Sequence, residues 1–214
     1  MRLPIHREGW PFIAAACLFD LLLFVGAPSA GWLFLPVAIW VVAFFRDPER
    51  RTPLGDNLVI CPADGRLLPV AKAVPPAELG LGPDKCLRLS IFMNVFNVHV
   101  NRIPCNGTVT TLGYRPGKFF NASFDKASEQ NERMAIRIDA KGGREIGVVQ
   151  VAGLVARRIV CNLQEGQSVC PGDRFGIIRF GSRVDVYLPD GARVLVNEGQ
   201  SVKAGETVIA DFPN

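Results

Sequence analysis

Between Arg183 and Leu188 the chain alternates, with Val184, Val186 and Leu188 set against Arg183, Asp185 and Tyr187. A period of two puts one set on each side of a strand, so this stretch is predicted to be half-buried in a sheet, with Phe180-Gly181-Ser182 at its head. Such a strand needs neighbours. Many short alternating runs rich in Val, Gly and Pro follow residue 58, so the body is expected to be mainly β. Gly181 lacks a Cβ, and its carbonyl can be approached closely. Gly181-Ser182 therefore has two readings: a bulge or turn, or a serine hydroxyl placed to attack the carbonyl that precedes it.

The first 45 residues have a different character. Hydrophobic residues make up 49% of the 214-residue chain and mean hydropathy is +0.21, and the apolar excess lies before residue 46. Residues 11–25 are apolar except for Asp20, and residues 31–45 carry no charge. Each run is shorter than the roughly 20 residues of a straight span, which leaves two short spans or a helical hairpin dipping into one leaflet. A cleaved signal peptide competes, since Arg2 and Arg7 precede an apolar run and residues 27–30 are small. A second apolar run followed at once by Arg46, Arg50 and Arg51 argues against it. Arginines at both outer ends put both ends on the cytoplasmic side of a cell membrane. The expected organisation is a membrane anchor over 1–45, a linker over 46–57 containing Pro48 and Pro53, and a catalytic or binding body over 58–214.

Charge and cysteine content narrow the function classes. A net charge of +4 fits an anionic membrane surface better than nucleic acid, because no Lys/Arg stripe interleaves with aromatics. The six cysteines form no C-x-x-C pair and only His6 and His99 are present, so no metal site is expected. The cysteines read as reduced core residues rather than a disulfide framework.

Within the body, Leu58-Val59-Ile60 leads to Asp64-Gly65, a common turn pair. Residues 74–85 are Pro/Gly-rich and read as a mobile surface loop. A strand is predicted from Leu87 into the His99 segment. His99 is the one imidazole within the body, and a pKa near neutrality suits it to proton transfer, although a structural histidine is the other reading. Asn106-Gly107 signals a hairpin turn, and further strands are predicted over 135–138 and 146–151. The nine residues from Glu165 recur in similar form 33 positions later from Glu198, the punctuation of two similar β-hairpin halves. The fold class expected is α+β, mainly β: a β-sandwich or barrel-sandwich-like body with a C-terminal lipoyl-like repeat, preceded by the helical hairpin. The repeat also admits a membrane-tethered lipoyl- or biotinyl-like carrier or adaptor. Carriers modify a lysine between their halves, and none lies between Asp173 and Glu198.

Four motifs resemble one family in the same order. Phe45-Arg46-Asp47-Pro48-Glu49-Arg50, Cys61-Pro62-Ala63-Asp64-Gly65, Phe96-Asn97-Val98-His99 with Ile103-Pro104-Cys105-Asn106-Gly107, and Phe180-Gly181-Ser182 resemble the pyruvoyl-dependent phosphatidylserine decarboxylases, most closely their short form. The resemblance implies self-cleavage between Gly181 and Ser182, with Ser182 becoming a covalent pyruvoyl group and no metal required. It implies a Schiff base between that group and phosphatidylserine in the membrane, with release of CO2 and phosphatidylethanolamine. Two associated fragments are implied as well, and a homodimer is allowed. Asp64 matches the family's functional aspartate, and His99 the histidine associated with decarboxylation. Arg102 stands where longer members carry a second histidine associated with self-cleavage, so their aspartate-histidine-serine triad does not carry over unchanged. Lys118, Asn131 and Arg133 lie in segments that also resemble the family and are candidates for substrate binding, with solvated-loop roles equally open.

Overall fold

The computed structural model describes residues 5–117, 130–153, 158–179 and 182–213, and the chain divides into two compact units, residues 1–49 and 50–214. In the first unit α1 (Trp10–Gly26) and α2 (Pro28–Phe44) are separated by Ala27 alone. Each helix has a proline in its first turn, where a missing N–H costs nothing. Edge-on ring contacts join the pair: Phe19 with Phe34 at 4.9 Å and Phe24 with Trp32 at 5.2 Å. The two outer ends are tied together, since the His6 N–H donates to the Phe45 carbonyl at 2.8 Å. With the short turn before it, the first helix runs from Arg7 to Gly26, 20 residues of mean hydropathy 1.9, long and apolar enough to cross a bilayer; the second has 17. Asp20 is the exception in this apolar surface and is buried.

The second unit is mainly β, in three antiparallel sheets. The largest contains β2 (Gly65–Leu67), β3 (Ala71–Ala73), β4 (Cys86–Met93), β6 (Gly107–Arg115), β7 (Arg133–Ala140), β8 (Arg144–Ala152), β10 (Ser168–Val169), β12 (Ser182–Leu188) and β14 (Ser201–Val202). Its order is β10-β6-β7-β8-β12-β4-β2-β14, with β3 also on β4. A second sheet joins β1 (Leu58–Ile60), β13 (Arg193–Val194) and β15 (Val208–Asp211), and a third joins β5 (Val100–Arg102), β9 (Ile159–Cys161) and β11 (Arg174–Ile178). The strand predicted from Leu87 into the His99 segment is interrupted, because β4 stops at Met93 and a turn over residues 94–97 intervenes before β5.

β12 lies in the middle of the large sheet, paired along its length with β4 and over Ser182 to Tyr187 with β8. Val184, Val186 and Leu188 enter the main core with Leu89, Ile91, Ile136, Val148 and Phe175. Leu-to-Ala changes at such sites cost about 2–5 kcal/mol. β7 and β8 are joined through Gly142 and Gly143, both with positive φ (79° and 70°), a backbone that fits a tight hairpin turn.

The two copies of the internal repeat adopt the same local structure and occupy the two edges of this sheet. The Gly166 N–H donates to the Val109 carbonyl and the Gly199 N–H to the Leu67 carbonyl; the Gly172 N–H donates to the Ile103 carbonyl and the Gly205 N–H to that of Cys61. Each copy thus flanks one Pro-x-Asp/Asn-Gly segment. Both segments bend, at residues 62–64 and 105–106, but neither joins two paired strands as a hairpin turn would. Gly65 and Gly107 instead begin strands, and a Cβ on either would collide with a carbonyl oxygen, that of Phe92 for Gly65 and that of Asp139 for Gly107. Close approach of backbone explains both glycines.

Residues 74–85 also differ from the mobile loop expected. Ala77–Leu79 forms a short 3-10 turn, and Leu79 is fully buried with Ala135, Val149, Val151 and Tyr187 on the sheet face away from the main core. Gly113 and Gly147 make room for it, since Cβ atoms there would meet Glu78 Cβ at 2.6 Å and Leu79 Cδ1 at 2.7 Å. On the same sheet face Arg183 Nη2 donates to Asp185 Oδ2 at 3.0 Å, with both side chains almost wholly buried. Burial pushes the Tyr187 hydroxyl up to about 12, Asp185 adding to the effect while Arg88 and Arg183 oppose it. Removing one member of a buried ion pair strands the other in a poor solvent. Asp185→Ala is expected to destabilise the protein by about 3–5 kcal/mol in urea unfolding, and a loss under about 1 kcal/mol would contradict this account.

Candidate active site

Ser182 opens β12, in register with Met93 on one side and Ala152 on the other. Alternation gives it the side of Val184, Val186 and Leu188, and it is fully buried. Its Oγ donates to Met93 Sδ at 3.4 Å. Asn101 Nδ2 approaches the same sulfur at 3.8 Å, and Asn101 Oδ1 accepts from Gln150 Nε2 at 2.8 Å. A polar chain from Gln150 through Asn101 and Met93 to Ser182 therefore crosses an apolar interior. Because a thioether is a weak acceptor, the serine proton is only lightly held.

His99 is buried and immediately precedes β5, where Val100 pairs with Ile177 on the strand that leads towards Ser182. It has the same parity as Asn101, whose amide reaches Met93. His99 Nδ1 lies 3.0 Å from the Asn97 carbonyl. A carbonyl oxygen only accepts, so Nδ1 carries the hydrogen and Nε2 the lone pair of the neutral ring.

Asp64 has different partners from those of a triad aspartate. Its Oδ2 accepts from Arg50 Nη2 and its Oδ1 from the Ala204 N–H, both at 2.8 Å. Arg50 Nη1 also lies 3.5 Å from Glu206. Arg102, at the second-histidine position, donates from Nη1 to the Gly172 carbonyl at 2.9 Å. The register of Arg66 with Phe92, carried one residue further, brings Gly65 opposite Met93, so Asp64 adjoins a residue two strand spacings, about 10 Å, from the Ser182 backbone.

Asn131 is buried and its Nδ2 donates to the Ala152 carbonyl at 2.7 Å, beside Ser182 in register. Arg133 clamps both oxygens of Glu78 at 2.8 and 2.9 Å. Gly181 and Lys118 lie outside the described residues. Burial drives the thiols of Cys61 and Cys105 up to about 12, which makes both poor nucleophiles. The structure thus gathers Ser182, Met93, Asn101, Gln150 and Asn131, and holds Asp64 with Arg50. Sequence reasoning missed Arg50, Met93, Asn101 and Gln150. Only Gln150 carried a signal, as a lone polar residue within the apolar run Gly147-Val148-Val149-Gln150-Val151-Ala152.

Residues 37–210 match the family model described as phosphatidylserine decarboxylase. This chain belongs to the phosphatidylserine decarboxylase family. It is similar to proteins named phosphatidylserine decarboxylase proenzyme from Azorhizobium caulinodans (56% identical, 98% of this chain and 89% of the relative) and Cereibacter sphaeroides (54%, 98% and 90%). A third, from Paramagnetospirillum magneticum, is 56% identical over 98% of this chain and 87% of its own length. Membership in the phosphatidylserine decarboxylase family makes the chain an enzyme of the carboxy-lyase class and decides against the carrier reading.

The Glu78 clamp gives a pH test. Burial pushes its carboxyl up, but its own backbone N–H and Arg133 outweigh that and hold it below the ordinary 4.5. A depressed folded value adds stability above the unfolded value and loses it as pH falls through the folded one. Stability should fall on acidification below about pH 4.5, and Glu78→Gln should flatten that fall; equal slopes in urea titrations would refute it.

Proposed function

We propose that this chain is a self-processing, membrane-associated decarboxylase that converts phosphatidylserine to phosphatidylethanolamine and CO2. The observation that supports it most is Ser182, buried at the head of the central strand in a chain of this family. Ser182 Oγ attacks the preceding carbonyl, forming an ester and freeing the α-amine as the peptide bond breaks. β-Elimination then removes the 182 α-proton and the carboxylate of the first fragment, and hydrolysis of the dehydroalanine releases ammonia and leaves a pyruvoyl group.

The position fits that group, because the pyruvoyl side chain is no larger than serine's and the strand on its C-terminal side stays paired. When present, the pyruvoyl group supplies an electron sink for decarboxylation. His99 Nε2 takes up a proton and delivers it to the carbon that loses its carboxylate. Arg50 and the Ala204 N–H orient Asp64 for maturation. Pairing of β12 with β4 and β8 supports continued association of fragments 1–181 and 182–214. Of the substrate-binding candidates, Asn131 is the best supported, by its bond to the Ala152 carbonyl; Arg133 is engaged by Glu78, and Lys118 completes the set.

Residues 1–45 are proposed as the membrane anchor, 46–57 as the linker and 58–214 as the decarboxylase domain on the cytoplasmic side. Keeping a two-chain lipid in the bilayer avoids exposing methylenes at about 0.8 kcal/mol each. Intact mass under denaturing conditions should show a fragment beginning at 182 in pyruvoyl form. Ser182→Ala should leave one uncut chain, and His99→Ala should abolish lipid turnover. Arg50→Ala should slow cutting at least about tenfold with Arg50→Lys restoring part of it; cutting at the parent rate would remove Arg50 from maturation.

A further inference from the structure

The turn between β4 and β5 is built to hold an aromatic ring outward. The Asn94 N–H donates to Asn97 Oδ1 at 2.9 Å, the Phe96 N–H to Asn94 Oδ1 at 2.8 Å, and the Asn97 N–H to the Asn94 carbonyl at 3.0 Å. Within this clamp Phe96 is 71% exposed. The same turn begins one residue after Met93, which touches Ser182, and its Asn97 carbonyl fixes His99. At this end of the sheet Arg66 of β2 lies in register with Phe92 of β4 and is exposed, whereas Arg115, four strands from β4, lies 3.6 Å from Glu78.

We infer that the residue 94–97 turn is a bilayer-docking finger that inserts Phe96 among anionic lipids beside the Ser182 site, with Arg66 of the adjoining strand on their headgroups. The inference rests on the decarboxylase reading for its purpose. An exposed aromatic on a rigid turn beside an exposed arginine suits a membrane interface, where the ring is buried and the cation meets phosphate. The clamp removes the ordering cost that a floppy loop would carry on insertion.

The test uses full-length protein. Phe96→Trp should gain quenching over the parent, whose own tryptophans are at 10, 32 and 40, on vesicles of phosphatidylglycerol with brominated phosphatidylcholine. Phe96→Ala should self-cleave normally and turn over monomeric short-chain phosphatidylserine as the parent does, while its apparent KM for phosphatidylserine in vesicles rises about tenfold. No added quenching, or equal effects of Phe96→Ala on monomeric and vesicle substrate, would overturn the finger. Added quenching with a parent that decarboxylates neither substrate would leave the finger standing and sink the decarboxylase reading.

Discussion

The pairing of β12 between β4 and β8 is the constraint on which the rest depends. It fixes Ser182 at a strand head, where one neighbour in register is Met93 and the other Ala152. Every further group of the site is placed through these neighbours: Asn101 through Met93, Asn131 through Ala152, and Gly65 with Asp64 on the far side of β4. Backbone hydrogen bonds along a central strand do not depend on the peptide link before it, so the scaffold is held by bonds that a cut at that link leaves in place.

The two faces of β12 do different work. Its even positions fill an apolar core, and its odd positions bury an ion pair and Tyr187, which shares a cluster with Leu79. Alternation in the sequence showed that the faces differ, but not that both are covered. Polar residues at odd positions ordinarily face water, and nothing local to Tyr187 reveals that Leu79, in a Pro/Gly-rich segment far earlier in the chain, joins the cluster around it.

The strands and the helical pair were legible because they are local patterns, and the family because its motifs match. Partners were less so. Asp64-Gly65 and Asn106-Gly107 read as turns because those residue pairs commonly turn, yet here each glycine admits a neighbouring carbonyl. That demand is set by a strand distant in sequence. Arg50 reads as part of a linker for the same reason: its carboxylate partner is 14 residues away and lies in another element.

The near-symmetry of the two sheet edges ends at one atom. Ala204 offers Asp64 a backbone hydrogen, whereas the matching place in the other copy is Pro171, whose nitrogen has none. An acidic side chain at Asn106 would find no such donor at that place, so two rims alike in their glycines differ in the backbone hydrogen they offer there.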